Sequence, residues 1–380
     1  MSTFFGGKGI ASLKGKFNFS SLIDFFKGLS IRNIFRVSLT RRAIQYNKSS
    51  MDKSKENKVE SSSKTNVIIK ENNNNDDTIN DISEETPLEG NRYAYLTQGK
   101  TIGSFYNRKN HKRLPGQIAL SFSGAGFLGV YHYGVVHCLQ AYAPNLMSRV
   151  IRYAGTSVGS IIASLFALSP DLFNQSMVQI MEMADETNSL AFGAITNGFS
   201  IHEKLVEAVN RIIPEDVSCL KNKLYISMTN AKTNQNVLYN YFPTKAQLTA
   251  AICASCYIPG WSAHYNAPHP VVDGITYIDG GLSNNLPVFD DIETITISPF
   301  SGSADISPSD NSLFSSYLPM QITFGKQVYS ASFANMQRLG YALFPPKGET
   351  LKMYYDLGFK DAFVYLYESG RLERPRGTAI

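Results

Sequence analysis

The chain has 380 residues, a hydrophobic content of 43% and a formal net charge of +5. This length and apolar content allow one large globular domain or two smaller ones, and they exclude a fibrous or wholly disordered protein. No stretch of the sequence approaches the roughly 18 consecutive apolar residues of a transmembrane helix, so we expect no membrane span.

The positive charge is concentrated at the N-terminus. Residues 1–48 contain nine Lys or Arg and one acid, a net charge of +8, so the rest of the chain carries −3. This asymmetry argues against a nucleic-acid-binding domain. Leu22, Phe25, Phe26 and Leu29 have helical spacing within this basic arm. A mitochondrial presequence, an amphipathic helix on a membrane surface and an arm without a role in function are the three interpretations.

A polar segment follows the arm. Residues 49–114 contain few apolar side chains and an Asn- and acid-rich run at 71–77, a composition that predicts a disordered linker. A globular pattern begins near residue 115, and we expect the folded domain to span residues 115–375.

The elements of this domain alternate along the chain. We expect strands at 117–122, 150–154, 224–229, 236–242, 275–278 and 294–298, and helices at 130–141, 158–168, 172–186, 201–212 and 245–254. Strands that alternate with helices predict an α/β fold with a largely parallel sheet covered on both faces.

Ser157 stands in the pattern Gly-x-Ser-x-Gly, between Gly155 and Gly159. A predicted strand precedes it and a predicted helix follows. In such a strand-to-helix turn, the serine hydroxyl projects above the sheet edge as a nucleophile, and the flanking glycines allow close packing. The competing interpretation is a serine that only caps the helix.

A glycine-rich turn lies about thirty residues upstream. Gly124, Gly126 and Gly129 match the dinucleotide-binding fingerprint, which also requires an acid about 20 residues onward. Residues 130–169 contain neither Asp nor Glu. The pattern therefore favours an oxyanion hole formed by backbone N–H groups of Gly124, Ala125 and Gly126, with Gly129 serving helix packing.

The base is predicted by elimination. A serine hydrolase of this kind usually ends with a histidine after the acid, but no histidine follows Asp279. Asp279 precedes Gly280 and Gly281 at the end of a predicted strand, and a partly desolvated carboxylate has a pKa suited to a base. The weaker candidates for the base are His132, His202, His264, His269 and Asp273.

The cysteines do not indicate a metal site. Cys253 and Cys256 have the Cys-x-x-Cys spacing without a second pair or a histidine cluster, whereas structural zinc takes four ligands. We expect reduced thiols, no metal and no cofactor.

The three motifs, in this order, resemble the patatin-like phospholipase domain family. Residues 121–132, 277–287, 298–302 and 342–346 are similar to the subgroup of adipose triglyceride lipase and adiponutrin, and the resemblance covers residues 117–371. It implies a patatin α/β/α fold and a dyad in which Ser157 is the nucleophile and Asp279 accepts its proton. It also implies an oxyanion hole in the glycine turn and no metal.

The resemblance further implies the substrate class. The family hydrolyses acyl esters of triacylglycerol, phospholipids or retinol, and some members are transacylases. The subgroup acts on the cytoplasmic face of lipid droplets or membranes, with an α/β-hydrolase-fold co-activator. We therefore expect a lipid acyl-ester hydrolase, a triacylglycerol lipase first of all. The alternatives are a transacylase or phospholipase A that uses the same site, and an inactive lipid-surface or co-activator-binding protein.

Some residues bear on the acyl pocket. Val158 replaces a smaller residue common in the family and is expected to crowd the pocket, and Leu128 replaces a frequent Arg or Lys. Phe127, Phe166 and Trp261 are candidates for an acyl channel or for the core. The chain ends at Ile380 without the C-terminal extension that the triglyceride lipases use for droplet attachment. This leaves droplet targeting open, with the basic arm as one candidate to replace the extension.

Overall fold

The computed structural model describes residues 36–38, 116–264, 266–310 and 321–373. The predicted amphipathic helix at 22–29 and the predicted linker at 49–114 lie outside these ranges. Within the arm, Arg36–Ser38 form a short strand, β1, which pairs antiparallel with a strand near the end of the domain, Gln321–Phe324. No described helix is both long and apolar enough to cross a membrane.

A mixed, mostly parallel sheet forms the centre of the domain. Strand β2 (Ile118–Phe122) is fully buried and pairs in parallel with β3 (Val150–Thr156) on one side and with β8 (Glu293–Ile297) on the other. β4 (Leu224–Asn230) continues the parallel part beside β3. The remaining strands, β5 (Asn236–Tyr239), β6 (Val271–Val272) and β7 (Ile275–Asp279), join antiparallel at the β4 edge. The predicted largely parallel α/β sheet is confirmed.

Helices pack around this sheet. They are α1 (Val130–Tyr142), α2 (Pro144–Met147), α3 (Val158–Leu168), α4 (Pro170–Ser189), α5 (Ile201–Ile212), α6 (Lys245–Ser255), α7 (Phe333–Leu343) and α8 (Gly348–Glu368). The five helices predicted from the sequence are present, with ends that differ by three residues at most. Helices α7 and α8 and the hairpin of β9 (Gln321–Phe324) and β10 (Gln327–Ser330) were not predicted.

The long helix α8 packs directly against α1. A methyl group on Gly134 of α1 would collide with the carbonyl oxygen of Tyr355, and one on Gly358 of α8 would collide with that of Tyr131. Glycines thus let the two helix backbones approach each other closely. This packing buries one face of α8.

The apolar interior forms two clusters. The larger surrounds β2 and includes Ile118, Leu120 and Phe122. The smaller contains Phe127, Val158 and Trp261, residues that come just after β2, after β3 and after α6 in the chain. The smaller cluster therefore lies beside the turns that carry the predicted motifs.

Candidate active site

Two of the predicted motifs start from neighbouring parallel strands. β2 ends at Phe122, just before the glycine turn, and β3 ends at Thr156, just before Ser157. Phe122 is paired with Gly155 in the ladder. Because the carboxyl ends of parallel strands lie at one sheet edge, the glycine turn and Ser157 are brought together there.

Ser157 occupies a sharp turn whose backbone is held by its glycines. Its φ of 53° and ψ of −132° lie in a region that non-glycine residues rarely adopt. A methyl group on Gly155 would collide with the carbonyl of Gly159, and one on Gly159 would collide with the carbonyl oxygens of Phe122 and Ser123. The Gly-x-Ser-x-Gly pattern is therefore required by the close packing of α3 on β2 and β3.

Hydrogen bonds fix the backbone of this turn. The Ser157 amide donates to Oγ of Ser255 at 2.8 Å. Ser255 in turn donates to the carbonyl of Ser227 in β4 at 2.7 Å. This relay links the end of α6 to the nucleophile turn, and sequence patterns alone gave no signal for it.

Asp279 reaches Ser157 from the antiparallel part of the sheet. It is the last residue of β7, paired with Met228 of β4, and only 5% of it is exposed. Its carboxylate accepts a hydrogen bond from the Gly281 amide at 2.7 Å. Burial raises the pKa of Asp279 to about 6, although the contacts with Gly281 and Ser157 lower it. The Ser157 side chain thus lies next to the Asp279 carboxylate.

The two glycines after Asp279 have steric roles. A methyl group on Gly280 would collide with the backbone of Ser227. One on Gly281 would lie 2.9 Å from Oδ1 of Asn285 and 3.0 Å from Oδ1 of Asp279. Larger residues at either position would displace the carboxylate from the serine.

The glycine turn packs against the nucleophile. A methyl group on Gly124 would lie 3.1 Å from Cβ of Ser157. Gly126 has a φ of +51°, and a side chain there would collide with the carbonyl of Ala342 in α7. At Gly129, a methyl would lie 2.6 Å from Cγ2 of Val158, so the structure places Gly129 in helix packing.

The amide of Gly124 already has a partner. It donates to Oδ1 of Asn285 at 3.1 Å, so this N–H does not point freely at a substrate oxygen. This contact corrects the expectation that Gly124 donates within the oxyanion hole. The amides of Ala125 and Gly126 have no hydrogen-bond acceptor among the described residues. Of the three predicted donors, these two are available.

Asn285 connects the turn to the β9–β10 hairpin. Its Nδ2 donates to Oε1 of Gln327 and to the hydroxyl oxygen of Tyr329, both at 2.8 Å. Its own amide donates to the carbonyl of Gly325. Asn285 lies within the segment 277–287 that carries the family resemblance, but spacing alone did not distinguish it from a turn asparagine.

His132 is excluded as the base by its contacts. It is fully buried, and its Nε2 lies 2.9 Å from the carbonyl oxygen of Ser123. Because a carbonyl only accepts, Nε2 carries the proton. Burial also lowers the pKa of His132 to about 4, so the ring is neutral at pH 7. Its position suits a support for the glycine turn.

The other rival bases have different partners. In their recorded contacts, His202 and His269 lie against Tyr257, His264 lies against Asn197, and Asp273 accepts from Tyr239 and Gln247. Among the described residues, Asp279 is the carboxylate whose pKa is affected by the Ser157 side chain.

A cysteine lies beside the pair. The side chain of Cys256 lies near those of Ser157 and Ser160, and burial together with the nearby Asp279 raises its pKa well above the usual value. The thiol is therefore protonated and cannot compete as a nucleophile. All four cysteines are free.

An apolar chamber opens beside Ser157. It has a volume of about 850 Å³, counted with its mouth. Along α3 it follows Ser157, Val158, Ile161 and Leu165, a path of about 12 Å at 1.5 Å per residue. The other walls come mainly from α4 and α5, including Ile180, Met183, Ile201, Leu205, Ala208 and Val209.

Two of the three aromatic candidates line this chamber. Phe127 and Trp261 lie at the Ser157 end and pack edge to face. Phe166 instead packs in the core against Tyr153 and Phe173. Of the two interpretations for Phe166, the structure supports the core one.

The comparisons with known proteins agree with this geometry. The model of the patatin-like phospholipase family matches residues 120–292, which include the glycine turn, Ser157 and Asp279. Patatin-like phospholipase domain-containing protein 4 from Homo sapiens is 34% identical over 257 residues, 67% of this chain and 99% of that protein. The chain belongs to the patatin-like phospholipase family.

Other patatin-like proteins are similar over the same domain. Patatin-like phospholipase domain-containing protein 2 from Bos taurus is 33% identical over 67% of this chain and 51% of its own length. The mouse protein named 1-acylglycerol-3-phosphate O-acyltransferase Pnpla3 is 33% identical over 68% of this chain and 61% of its own. The patatin-like chain thus spans about half the length of several relatives. Membership in this family supports a lipid acyl hydrolase or acyltransferase.

Proposed function

We propose that this patatin-like protein is a triacylglycerol lipase in which Ser157 is the nucleophile and Asp279 the base. The observation that carries the proposal is the position of the Ser157 side chain, beside a buried carboxylate with a pKa of about 6 and in the wall of an apolar chamber. At neutral pH most of this carboxylate is ionised and ready to accept a proton.

The reaction follows from the positions of these groups. Asp279 takes the proton of Ser157 while Oγ attacks the ester carbonyl carbon. The amides of Ala125 and Gly126 stabilise the oxyanion. Protonated Asp279 then gives its proton to the departing alcohol, which leaves an acyl-enzyme. Asp279 next deprotonates a water molecule that releases the fatty acid and regenerates Ser157.

The chamber wall favours a neutral lipid. None of the described side chains that line it is Lys, Arg, His, Asp or Glu. An acyl chain gains about 0.8 kcal/mol per methylene buried in such a wall, whereas a phosphate head group would find no cation there. These properties support triacylglycerol as the substrate ahead of a phospholipid.

A transacylase is the second candidate, because the same acyl-enzyme can react with an alcohol instead of water. Two relatives carry names of this kind, the O-acyltransferase already mentioned and the omega-hydroxyceramide transacylase from Homo sapiens, which is 32% identical over 65% of this chain. An inactive lipid-surface protein is less well supported, because Ser157 and Asp279 are paired. We propose that the protein acts at the surface of a lipid droplet or membrane. Its proposed partner is a co-activator with an α/β-hydrolase fold. The N-terminal arm is a proposed targeting segment, either for mitochondria or for a membrane surface.

The test is fatty-acid release from emulsions of triolein and of phosphatidylcholine by the full chain, Ser157→Ala and Asp279→Asn. We expect release from triolein by the wild type and at least about a thousandfold less from both variants. Added monoolein separates the two candidates, since a transacylase would form diolein at the expense of fatty acid. Wild-type rates in both variants would exclude the proposed pair.

A further inference from the structure

One loop joins two walls of the chamber. Residues 187–200, here called the α4–α5 loop together with the ends of its helices, run from near Met183 of α4 to Ile201 of α5, and both of these residues line the cavity. The amide of His202 donates to the carbonyl of Ser262, next to the chamber residue Trp261. The loop therefore lies beside the part of the chamber that Trp261 lines.

Two large apolar side chains of this loop point outward. Phe192 is 71% exposed and Ile195 is 54% exposed. Ala194 between them is buried in the same apolar cluster as Phe127 and Trp261. One residue anchors the loop to the chamber wall while its neighbours face away from the protein.

Internal hydrogen bonds hold the loop in the conformation that exposes Phe192 and Ile195. Oγ1 of Thr196 donates to the carbonyl of Gly193 at 2.8 Å and accepts from the amide of Phe192 at 3.2 Å. The amide of Phe199 donates to the carbonyl of Thr196. Gly193, with a φ of 59°, allows the sharp bend. Backbone polar groups near Phe192 are thus already paired, which lowers the cost of moving this tip into an apolar medium.

The loop also carries no charge. Residues 187–200 contain no Asp, Glu, Lys, Arg or His. We propose that Phe192 and Ile195 insert into the surface of a neutral lipid phase and so dock the chamber entrance on its substrate. This inference rests on the proposed lipase function. A lipid surface fits better than a protein partner, because the tip has aliphatic and phenyl groups without the Trp, Tyr or Arg that dominate protein–protein hot spots.

The test measures docking apart from catalysis. Full-length wild type and the double variant Phe192→Ser with Ile195→Ser are floated with triolein emulsion coated with phosphatidylcholine, at low and high salt. Hydrolysis is followed in parallel on that emulsion and on a soluble short-chain ester. The matched control is Tyr367→Ser, since Tyr367 is also exposed but lies about 28 Å along α8 from Gly348, which neighbours α4.

We expect the double variant to bind the emulsion about 30-fold more weakly at either salt concentration, from the lost burial of two side chains. Its rate of hydrolysis on limiting emulsion should fall by the same factor, whereas it should cleave the soluble ester at the wild-type rate. Tyr367→Ser should match the wild type in emulsion binding and in both rates. Wild-type flotation by the double variant, or binding that high salt abolishes, would overturn the docking role, as would emulsion binding that occurs only with an added protein. If no variant cleaves either ester, the lipase function fails instead, and flotation still decides the docking question.

Discussion

Oδ1 of Asn285 accepts a hydrogen bond from the amide of Gly124, although the two residues are 161 positions apart. This contact fixes the start of the glycine turn, whose next two amides are the proposed oxyanion donors. The Nδ2 group of the same side chain is bound by Gln327 and Tyr329. Asn285 is thus a positioning residue for the proposed oxyanion hole.

We expect Asn285→Leu to lower kcat about 100-fold with little change in KM, because a small displacement of the amides weakens the transition state more than the bound acyl chain. The control is Tyr329→Phe, which removes one partner of Nδ2 but leaves the bond to Gly124. Its kcat should fall less than about 10-fold. Steady-state kinetics on a soluble ester gives kcat, and thermal melts give the stability. A lower stability in both variants with an unchanged kcat would show that the role of Asn285 is purely structural.

Asp279→Asn should inactivate the protein and stabilise it. The folded pKa of Asp279 is about 6 against 3.8 in the unfolded chain, so burying its charge costs about 3 kcal/mol above pH 7. Because the pKa of Asp279 is higher in the folded protein, the protonated carboxyl group favours the folded state. This stabilisation is fully present below about pH 4 and is lost as the pH rises through 6. Asparagine removes this cost, and its Oδ1 still accepts from the Gly281 amide. Urea unfolding at pH 8 and pH 4.5 measures the difference, and a variant less stable than wild type at pH 8 would contradict it.

The same ionisation governs the rate. A base must be deprotonated, so kcat/KM should increase about tenfold per pH unit below 6 and become constant above about pH 7. Burial of His132 keeps that ring neutral until about pH 4, so it should not contribute to this limb. Initial rates on a soluble ester between pH 4.5 and 8.5 provide the profile. A limb that persisted in Asp279→Asn would assign the titration to another group.

Gly159→Ala should disrupt the backbone conformation of the nucleophile turn, because its methyl group would collide with the carbonyl oxygens of Phe122 and Ser123. We expect a loss of at least about 3 kcal/mol in unfolding free energy and no measurable esterase activity. Gly348→Ala is the matched control, since its methyl would lie 3.7 Å from the side chain of Met181. Thermal melts of both proteins should differ clearly; equal melting temperatures would show that α3 can shift away from β2.

Filling part of the chamber should shorten the accepted acyl chain. Val209 of α5 lines the cavity, and Val209→Phe adds a ring to that wall. We expect the ratio of long-chain to short-chain ester hydrolysis to fall at least about 10-fold, because the buried methylenes of the longer chain lose their space. Val206→Phe changes the same residue type on the same helix outside the lining. A ratio unchanged in Val209→Phe would place the acyl group elsewhere.

Much of this arrangement was readable from the sequence, because close contacts demand particular residues. Gly155 and Gly159 have no room for a side chain. Asp279 was predicted because it ends a strand before two glycines and because no histidine follows it. The partner of Gly124 was not predictable, since an asparagine after two glycines has the composition of any turn. Helix α8 was not predicted because apolar residues occur on all of its sides, so its sequence lacks a clear apolar face. Only its packing on α1 shows which side is buried.

Gly126 of the glycine turn packs against the carbonyl of Ala342, more than two hundred residues later in the chain. During synthesis, Ser157 and Asp279 emerge from the ribosome well before this backing helix does. Because α7 completes the wall behind the turn, a nascent chain that stops short of residue 342 has its nucleophile but not its supported amides. A fragment that ends before α7 would therefore keep Ser157 and Asp279 but lose the backbone that packs against Gly126.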